Sequence, residues 1–326
     1  LAPVPMSKAF FTNSGSEAND TVVKMLWYRA TAMGQPQKRK IISRLRGYHG
    51  ITAVAASMTG LPINHKSFGL PLDGFLHTGS PHYWRDAEEG ESEAEFVARR
   101  ALELENLILA EGPDTIAAFI GEPVMGAGGV VVPPDGYWAA IQDVLDTYDI
   151  LLIADEVICG FGRTGNMFGT QTFTMKPDIM TLSKQITSAY QPLSAILLSD
   201  RMFEPIADET QANGAFGHGF TGGGHPVGAA VALENIRIIE EEGLVENSRT
   251  VGRHMQDRLA ALSDHPLVGE NRGVALLGAL ELVADKDTKA GLEKPGTIGA
   301  AASAELLELG VVSRAMGDAL AFCPPL

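Results

Sequence analysis

Cysteine is scarce in this chain, which contains only Cys159 and Cys323. Neither residue belongs to a CxxC pair or to a cluster of metal-binding type, so we expect a reducing compartment, the cytoplasm, and no disulfide framework. Long apolar runs are missing too. No uninterrupted stretch could cross a bilayer, and no charged-then-apolar segment resembles a secretory signal. The sequence therefore predicts no membrane partner.

Basic residues are in the minority. The chain has 25 lysines and arginines against 40 aspartates and glutamates, which gives a formal net charge of −15. A surface of this sign repels phosphate backbones and offers no basic stripe, so we do not expect a nucleic-acid partner. A few local donors can still bind a small anionic cofactor, because charges act most strongly at short range.

Apolar segments of two kinds alternate along the 326 residues. Five short runs bounded by turns predict buried strands of a mostly parallel sheet, at residues 40–45, 116–120, 150–154, 178–182 and 193–198. Between them, apolar residues three and four positions apart predict helices, for example at residues 18–33, 93–111 and 137–148. This alternation is typical of an α/β fold in which helices flank the sheet.

The length of the chain predicts two domains. We place a large domain at residues 1–226 and a smaller α+β domain at residues 227–326, because long helices and then a strand near residues 275–283 follow that point. The sequence opens at Leu1 and stops at Leu326 without the features of natural termini. We therefore expect that the first part of the large domain and the tail of the small domain are missing.

A polar turn at residues 12–19 (TNSGSEAN) leads directly into the first predicted helix. The amides of a helix's first turn lack intrahelical partners and carry partial positive charge, so they can bind a phosphate. Gly15 would let the backbone approach closely, and Ser16 would add a hydroxyl donor. Taken alone, the turn is better interpreted as an ordinary N-cap.

Two predicted strands end in ionisable residues. Asp155 lies where open α/β sheets bind ligands, so it could face a cationic ring nitrogen or a metal, or simply cap the next turn. Lys184 ends another strand, where burial would favour the neutral amine that attacks a carbonyl. A surface lysine is the alternative there.

These residues form an ordered set with Tyr48, His49 and a glycine-rich loop at residues 218–225. Pyridoxal 5′-phosphate (PLP) requires a phosphate cradle, a stacking partner for its ring, an acid for its pyridine nitrogen and a lysine for its aldehyde. The set contains a candidate for each requirement. The sequence therefore predicts PLP as the cofactor.

The order of motifs resembles that of the class III, or omega, aminotransferases over nearly the whole chain. The matching blocks are NSGSEA at 13–18, RGYHG at 46–50, GEPV at 121–124, DEV at 155–157, GFGRTG at 160–165, SK at 183–184, FT at 220–221, GHP at 224–226 and PPL at 324–326. The resemblance implies PLP fold type I. It also implies transfer of an amino group from a small amine donor to a keto-acid acceptor.

The resemblance implies roles for single residues. Lys184 would hold PLP and shuttle a proton, and Asp155 would keep the pyridine nitrogen protonated. The other cofactor contacts would come from Gly15 and Ser16 at the phosphate and from Tyr48, His49 and Val157 at the ring. Thr221 would donate to the phosphate of the neighbouring subunit, which implies a homodimer with shared active sites. Gly222 and Gly223, where many relatives have Tyr-Ser, make that loop smaller and weaken this expectation.

Two positions bear on the substrate. In ornithine-type enzymes an arginine reads the substrate carboxylate where this chain has Ala321. Arg314 instead matches the mobile arginine of amine–pyruvate enzymes, whose guanidinium suits a planar carboxylate; a surface arginine at a strand end is the alternative. We therefore expect the amine–pyruvate branch, with Arg314 and Tyr48 contacting substrate. An ornithine-, acetylornithine- or GABA-type enzyme using 2-oxoglutarate is the second possibility. Glu122 lacks its ornithine-branch arginine partner, and its role stays open.

Two other classes fit parts of the sequence. The GFGRTG motif at 160–165 satisfies the dinucleotide fingerprint of dehydrogenases, but the residues after it lack the apolar period of a helix that would receive a pyrophosphate. His218 and His225 could suggest a metal hydrolase, yet both lie in a glycine-rich loop and not on one helix face. We expect neither activity and no metal site.

Overall fold

The computed structural model describes residues 1–291 and 293–326. The larger of its two sheets consists of β1 (Lys8–Thr12), β2 (Lys40–Arg44), β3 (Phe75–Thr78), β4 (Ile116–Gly121), β5 (Leu151–Asp155), β6 (Ile179–Leu182) and β7 (Ser194–Leu198). Their spatial order is β1-β7-β6-β5-β4-β2-β3. Strands β2 to β6 run parallel, whereas β7 is antiparallel to both β6 and β1. The C-terminal ends of the parallel strands therefore share one edge.

Helices cover both faces of this sheet. The helices of the chain are α1 (Gly15–Ala32), α2 (Ala53–Met58), α3 (Tyr83–Asp86), α4 (Glu93–Glu111), α5 (Tyr137–Thr147), α6 (Gly169–Thr172), α7 (Asp200–Asn213), α8 (Pro226–Glu241), α9 (Leu244–Ala260) and α10 (Thr297–Glu308). Of these, α9 and α10 belong to the second sheet. Successive strand residues point to opposite faces. In β5, Leu151 and Ile153 thus pack with α1 and α7, while Leu152 and Ala154 pack with α4 and α5.

A second, fully antiparallel sheet follows α9. It contains β8 (Val268–Val274), β9 (Leu277–Leu282), β10 (Arg314–Met316) and β11 (Ala319–Phe322), in the order β10-β11-β9-β8. Helix α9 packs against β8 and β9, and α10 against β10 and β11. The division at residues 226 and 227 stays a prediction, because α8 contacts both α9 and the turn that contains Lys184.

The predicted α/β class is confirmed. The five strands predicted for the parallel sheet all belong to the large sheet, with their ends shifted by at most one residue, and the strand predicted near residues 275–283 is β9 of the second sheet. The prediction missed β1 and β3, whose short segments lack a continuous apolar run. None of the helices in the described part of the chain is both long and apolar enough to cross a membrane.

Candidate active site

A cavity of about 230 Å³ lies at the C-terminal edge of the parallel strands. It is lined by Gly15, Ser16, Tyr48, His49, Gly50, Glu122, Asp155, Val157, Ile158, Ser183 and Lys184. These residues come from the segments after β1, β2, β4, β5 and β6, which meet because chain ends of parallel strands share an edge. Eight of the ten predicted site residues line the cavity, and Thr221 and Arg314 do not.

Asp155 forms the acidic wall of the cavity and is almost fully buried. Its Oδ2 accepts hydrogen bonds from His49 Nδ1 at 2.8 Å and from Asn19 Nδ2 at 3.0 Å, while Oδ1 accepts from the Val157 amide at 3.1 Å. Burial opposes ionisation, but the hydrogen bond and charge of His49, together with Asn19, hold the pKa of Asp155 below its usual value. The cavity therefore has a buried carboxylate that stays ionised at neutral pH.

The first turn of α1 forms the opposite end of the cavity. Ser14 is the N-cap, and its Oγ accepts from the Glu17 amide at 3.2 Å. Gly15 and Ser16 occupy the first two helical positions, whose amides have no intrahelical acceptor. A Cβ on Gly15 would lie 3.3 Å from the Val157 side chain. The N-cap and the phosphate-binding interpretations of this turn are therefore compatible, because Ser14 does the capping and the next two amides remain available.

Lys184 starts a short 3₁₀ turn directly after β6. Its φ of +45° lies in the left-handed region, which costs a residue other than glycine of order 1–3 kcal/mol. Asn235 of α8 secures the turn: its amide donates to the Gln185 carbonyl at 2.6 Å, and its Oδ1 accepts from Ser188 Oγ at 2.6 Å. The expected burial of Lys184 is wrong for this chain, since the residue is exposed at the cavity wall. The cavity opens to solvent there, so the amine is accessible.

Glu122 is fully enclosed beside the cavity. Its carboxylate accepts from the Tyr48 amide at 3.0 Å and from the Gly126 amide at 2.8 Å. Burial, and to a lesser extent the charge of Asp155, raise the pKa of Glu122. The role left open by the sequence is therefore structural at least in part: Glu122 fixes the backbone of Tyr48.

Thr221 and Arg314 both lie outside the cavity and are exposed. The loop that carries Thr221 packs on the segment before α1: a Cβ on Gly223 would lie 2.7 Å from the Phe11 carbonyl oxygen. Arg314 starts the edge strand β10 and pairs directly with Ala321 of β11. The two positions that could read a substrate carboxylate are therefore neighbours across one antiparallel pair.

The residues that suggested a dehydrogenase or a metal hydrolase make structural contacts. His225 caps α8 by accepting from the Val227 amide, and His218 contacts Lys24 and Thr21. The GFGRTG segment leads into α6, a helix of only four residues. In the described residues, no group of three or more potential metal ligands comes together.

Comparisons with known proteins agree with this geometry. The model of the family "Aminotransferase class-III" matches residues 1–326. The diaminobutyrate–2-oxoglutarate transaminase of Halomonas elongata is 49% identical over 331 residues, which cover 100% of this chain and 71% of that protein. The solved omega transaminase of Pseudomonas jessenii in complex with PMP is 63% identical, with a TM-score of 0.99, and is covered over 72% of its length by this entire chain. A solved transaminase with L-ala is 66% identical, with a TM-score of 0.99 and coverages of 99% and 76%.

The chain belongs to the class III aminotransferases. The predicted family, fold type I and enzyme class are confirmed, and PLP is the cofactor of this family. These features could be predicted from the sequence, because most of the cavity residues lie in contiguous motifs at strand ends.

The polar groups around the cavity fit PLP. A buried, ionised Asp155 suits a protonated pyridine nitrogen, and the first-turn amides of α1 suit a phosphate. A side chain at position 15 would crowd Val157 and Ser183, so Gly15 leaves that part of the cavity open. The amine of Lys184 lies at the same cavity and forms no hydrogen bond within residues 1–291 and 293–326. An aldehyde carbon can therefore reach it.

Several further residues of the site were missed, among them Ile158 and Ser183, which line the cavity. Asn19 bonds to Asp155, Gly50 lines the cavity, and Asn235 secures the lysine turn. Asn19 could have been found, because it lies four positions after Gly15 and therefore on the same face of α1. Asn235 carries no such signal, since its contact depends on how α8 folds back onto the large sheet.

Proposed function

We propose that this chain is an omega transaminase of the amine–pyruvate type, with its sites completed in a homodimer. The observation that carries the substrate assignment is the pairing of Arg314 with Ala321. Directly opposed residues on antiparallel strands project from the same face. The side chain of Arg314 can therefore reach the same region as an arginine at position 321 would. It does so from an exposed edge strand.

The surroundings of Arg314 favour a mobile carboxylate reader. Its guanidinium is exposed and forms no hydrogen bond or ion pair within the described residues. Ala321 and Met316 belong to an apolar cluster that also contacts Ile158, which lines the cavity. Arg314 thus lies close to the cavity. From there its side chain can pair with the carboxylate of a keto acid and return to solvent when a neutral amine binds. A fixed, buried arginine would pay a desolvation cost in the second case.

The cavity residues support the chemistry of transamination. PLP, when bound, supplies an electron sink that stabilises negative charge at the substrate carbon. In our proposal Lys184 holds the cofactor and moves the proton through its Nζ, and Asp155 holds a proton on the pyridine nitrogen. Gly15 and Ser16 bind the phosphate, Tyr48 and Val157 confine the two ring faces, and His49 orients Asp155 through its Nδ1.

One relative favours a second candidate. The Halomonas elongata protein is named for 2-oxoglutarate, a longer keto acid with two carboxylates. The solved transaminase with L-ala instead concerns the amino acid that pyruvate yields. We prefer the amine–pyruvate type over the 2-oxoglutarate type, because an alanine occupies position 321.

The decisive experiment is an acceptor panel. Purified protein with PLP and a carboxylate-free amine such as 1-phenylethylamine should convert pyruvate at least tenfold more efficiently than 2-oxoglutarate, measured as kcat/KM. The reverse preference would overturn the amine–pyruvate assignment in favour of the 2-oxoglutarate type. Failure with both acceptors would contradict the proposed donor class.

The homodimer is supported by the surface next to the cavity. Large apolar side chains near cavity segments in the sequence are exposed, including Tyr190 at 81% and Ile51 at 71%, and exposed apolar surface is typical of interfaces. Both residues flank cavity segments, and Thr221 is exposed on its glycine loop. Sedimentation of the PLP-loaded protein should give a dimer, and an active monomer would refute the shared site.

We also propose a cytoplasmic location. Both cysteines are free, Cys159 buried and Cys323 exposed, as a reducing compartment allows. Fractionation of the source cells that recovers the native protein in an oxidising compartment would contradict this.

A further inference from the structure

A chain of charged and polar side chains connects the segment before Tyr48 to the second sheet. Its members are Arg46, His82, Glu270, Arg272, Glu281 and Arg85. Arg46 Nη1 lies 2.7 Å from His82 Nδ1, and His82 Nε2 lies 2.8 Å from Glu270 Oε2. His82 is only 2% exposed. A buried imidazole therefore joins the turn after β2 to strand β8.

The chain continues within the second sheet. Arg272 donates to Glu270 at 2.6 Å and to Glu281 at 2.7 Å, and Arg85 donates to Glu281 at 2.9 Å. Burial opposes ionisation of Glu270, but the hydrogen bond of His82 and the charge of Arg272 hold its pKa below the usual value. Arg272 and Arg85 do the same for Glu281. Both carboxylates are thus acceptors only.

The two partners of His82 determine its protonation. A guanidinium can only donate, so Nδ1 of His82 must accept from Arg46 and carries no proton. An ionised carboxylate can only accept, so Nε2 must carry the proton that is donated to Glu270. His82 is therefore neutral, in the Nε2–H form. A proton on Nδ1 would face an N–H of Arg46 and break that contact.

A second connection runs from the same sheet to the same place. Arg272 Nε and Nη2 donate to the Gly129 carbonyl at 2.9 and 2.6 Å. Gly129 closes the turn that starts at Gly126, whose amide donates to Glu122. Glu122 in turn accepts from the Tyr48 amide. Both routes from Arg272 therefore end at the Tyr48 segment.

We propose that His82 is a positioning residue, which in its neutral form joins Arg46 to Glu270 and fixes the Tyr48 segment against the second sheet. The inference rests on the proposed contact of Tyr48 with the cofactor ring. Because β10 belongs to that sheet, the same connection sets where Arg314 lies relative to the cavity.

Glutamine at position 82 separates this role from generic packing. Its amide accepts through oxygen and donates through nitrogen, so it can replace both hydrogen bonds without being able to ionise. Leucine fills space but does neither. We expect His82→Gln to bind PLP within about twofold of wild type and His82→Leu to bind it about ten- to a hundredfold more weakly, with KM for the acceptor raised more than kcat is lowered. His254→Leu, the same change at an exposed histidine of α9, is the matched control and should equal wild type.

Two readouts do not depend on turnover: equilibrium PLP binding, and long-range ¹⁵N–¹H spectra of the histidine-labelled wild-type protein. The spectra should show a buried histidine with its proton on Nε2 that disappears in His82→Gln. The proposal would be overturned if His82→Gln bound PLP as weakly as His82→Leu, or if His82→Leu bound it as tightly as wild type. Spectra that show His82 protonated on Nδ1 would also overturn it. If His82→Leu does not fold, Arg46→Met cuts the same link from the other side and should weaken PLP binding to a similar extent. Wild-type turnover is measured separately. A failure of the proposed transaminase function can therefore be told apart from a failure of the positioning role of His82.

Discussion

The cavity wall and the edge of the second sheet differ in how tightly they fix the side chains to which we assign functions. At the cavity, Asp155 is buried and receives three hydrogen bonds. At the edge, Arg314 is exposed on a strand of three residues. A preorganised end suits a cofactor that always presents the same atoms, whereas an adaptable end suits two substrates of different charge that share one pocket.

This difference gives the substitutions an expected order. Changes at the cavity wall should reduce every reaction of the protein, because each half-reaction uses the cofactor. Changes at the edge should affect only substrates that carry a carboxylate.

Lys184→Ala should have the largest effect. In the proposed mechanism the amine both attaches the cofactor and moves the proton, so turnover should fall by roughly 10⁴-fold, the upper range for acid–base catalysis. Lys176→Ala, at an exposed lysine just before β6, is the control. Borohydride treatment of wild type followed by peptide mapping should place the cofactor on Lys184. An adduct on another lysine would remove Lys184 from this role.

Asp155→Asn should rank second. The amide keeps the shape but not the charge that favours a protonated pyridine nitrogen, so the chemical step should slow by about 10²–10³-fold while PLP still binds. Single-turnover rates with an amine donor would measure this. Near-normal rates would show that Asp155 only caps the turn at Val157, with which it also shares a hydrogen bond.

The sequence predicted the cavity wall well for a physical reason. In parallel strands the chain leaves at one edge, so polar residues after apolar runs, such as Asp155 and Lys184, must come together. Contacts between elements far apart in the chain were not predictable: Asn235 reaches the Lys184 turn only because α8 packs on it. The exposure of Lys184 was also misjudged, since a strand pattern reports on the strand and not on the cavity that opens beyond it.

Arg314→Ala tests the edge of the second sheet. Losing one charge-assisted contact should cost about 1.5–3 kcal/mol, equivalent to a roughly ten- to hundredfold rise in KM for pyruvate. The half-reaction with a carboxylate-free amine should remain unchanged, as stopped-flow spectra of each half would show. Arg258→Ala on the exposed face of α9 is the matched control. Equal losses in both halves would make Arg314 a structural residue and remove the contrast between the two regions.

Glu156→Gln tests whether the residue after Asp155 is also a buried carboxylate that stays ionised. Glu156 is fully buried and accepts from the amides of Gly169 and Thr170 at 2.9 and 2.6 Å. Unlike its neighbour, it contacts no histidine among the described residues, and burial raises its pKa from 4.5 to about 7. The folded protein therefore retains a proton there that the unfolded chain releases above pH 4.5.

A folded-state pKa above the unfolded one stabilises the protein at low pH, and this contribution disappears as pH rises from about 4.5 to 7. From the size of the shift, wild type should lose about 3 kcal/mol of unfolding free energy through this group, at roughly 1.4 kcal/mol per pKa unit. Glutamine cannot ionise, so Glu156→Gln should lack that part of the slope between pH 4.5 and 7 in urea unfolding. Glu234→Gln, at an exposed ion pair, should follow the wild-type slope. Parallel curves for wild type and Glu156→Gln would mean that the pKa of Glu156 is not raised in the folded protein. Glu156 would then be ionised at neutral pH, as Asp155 is.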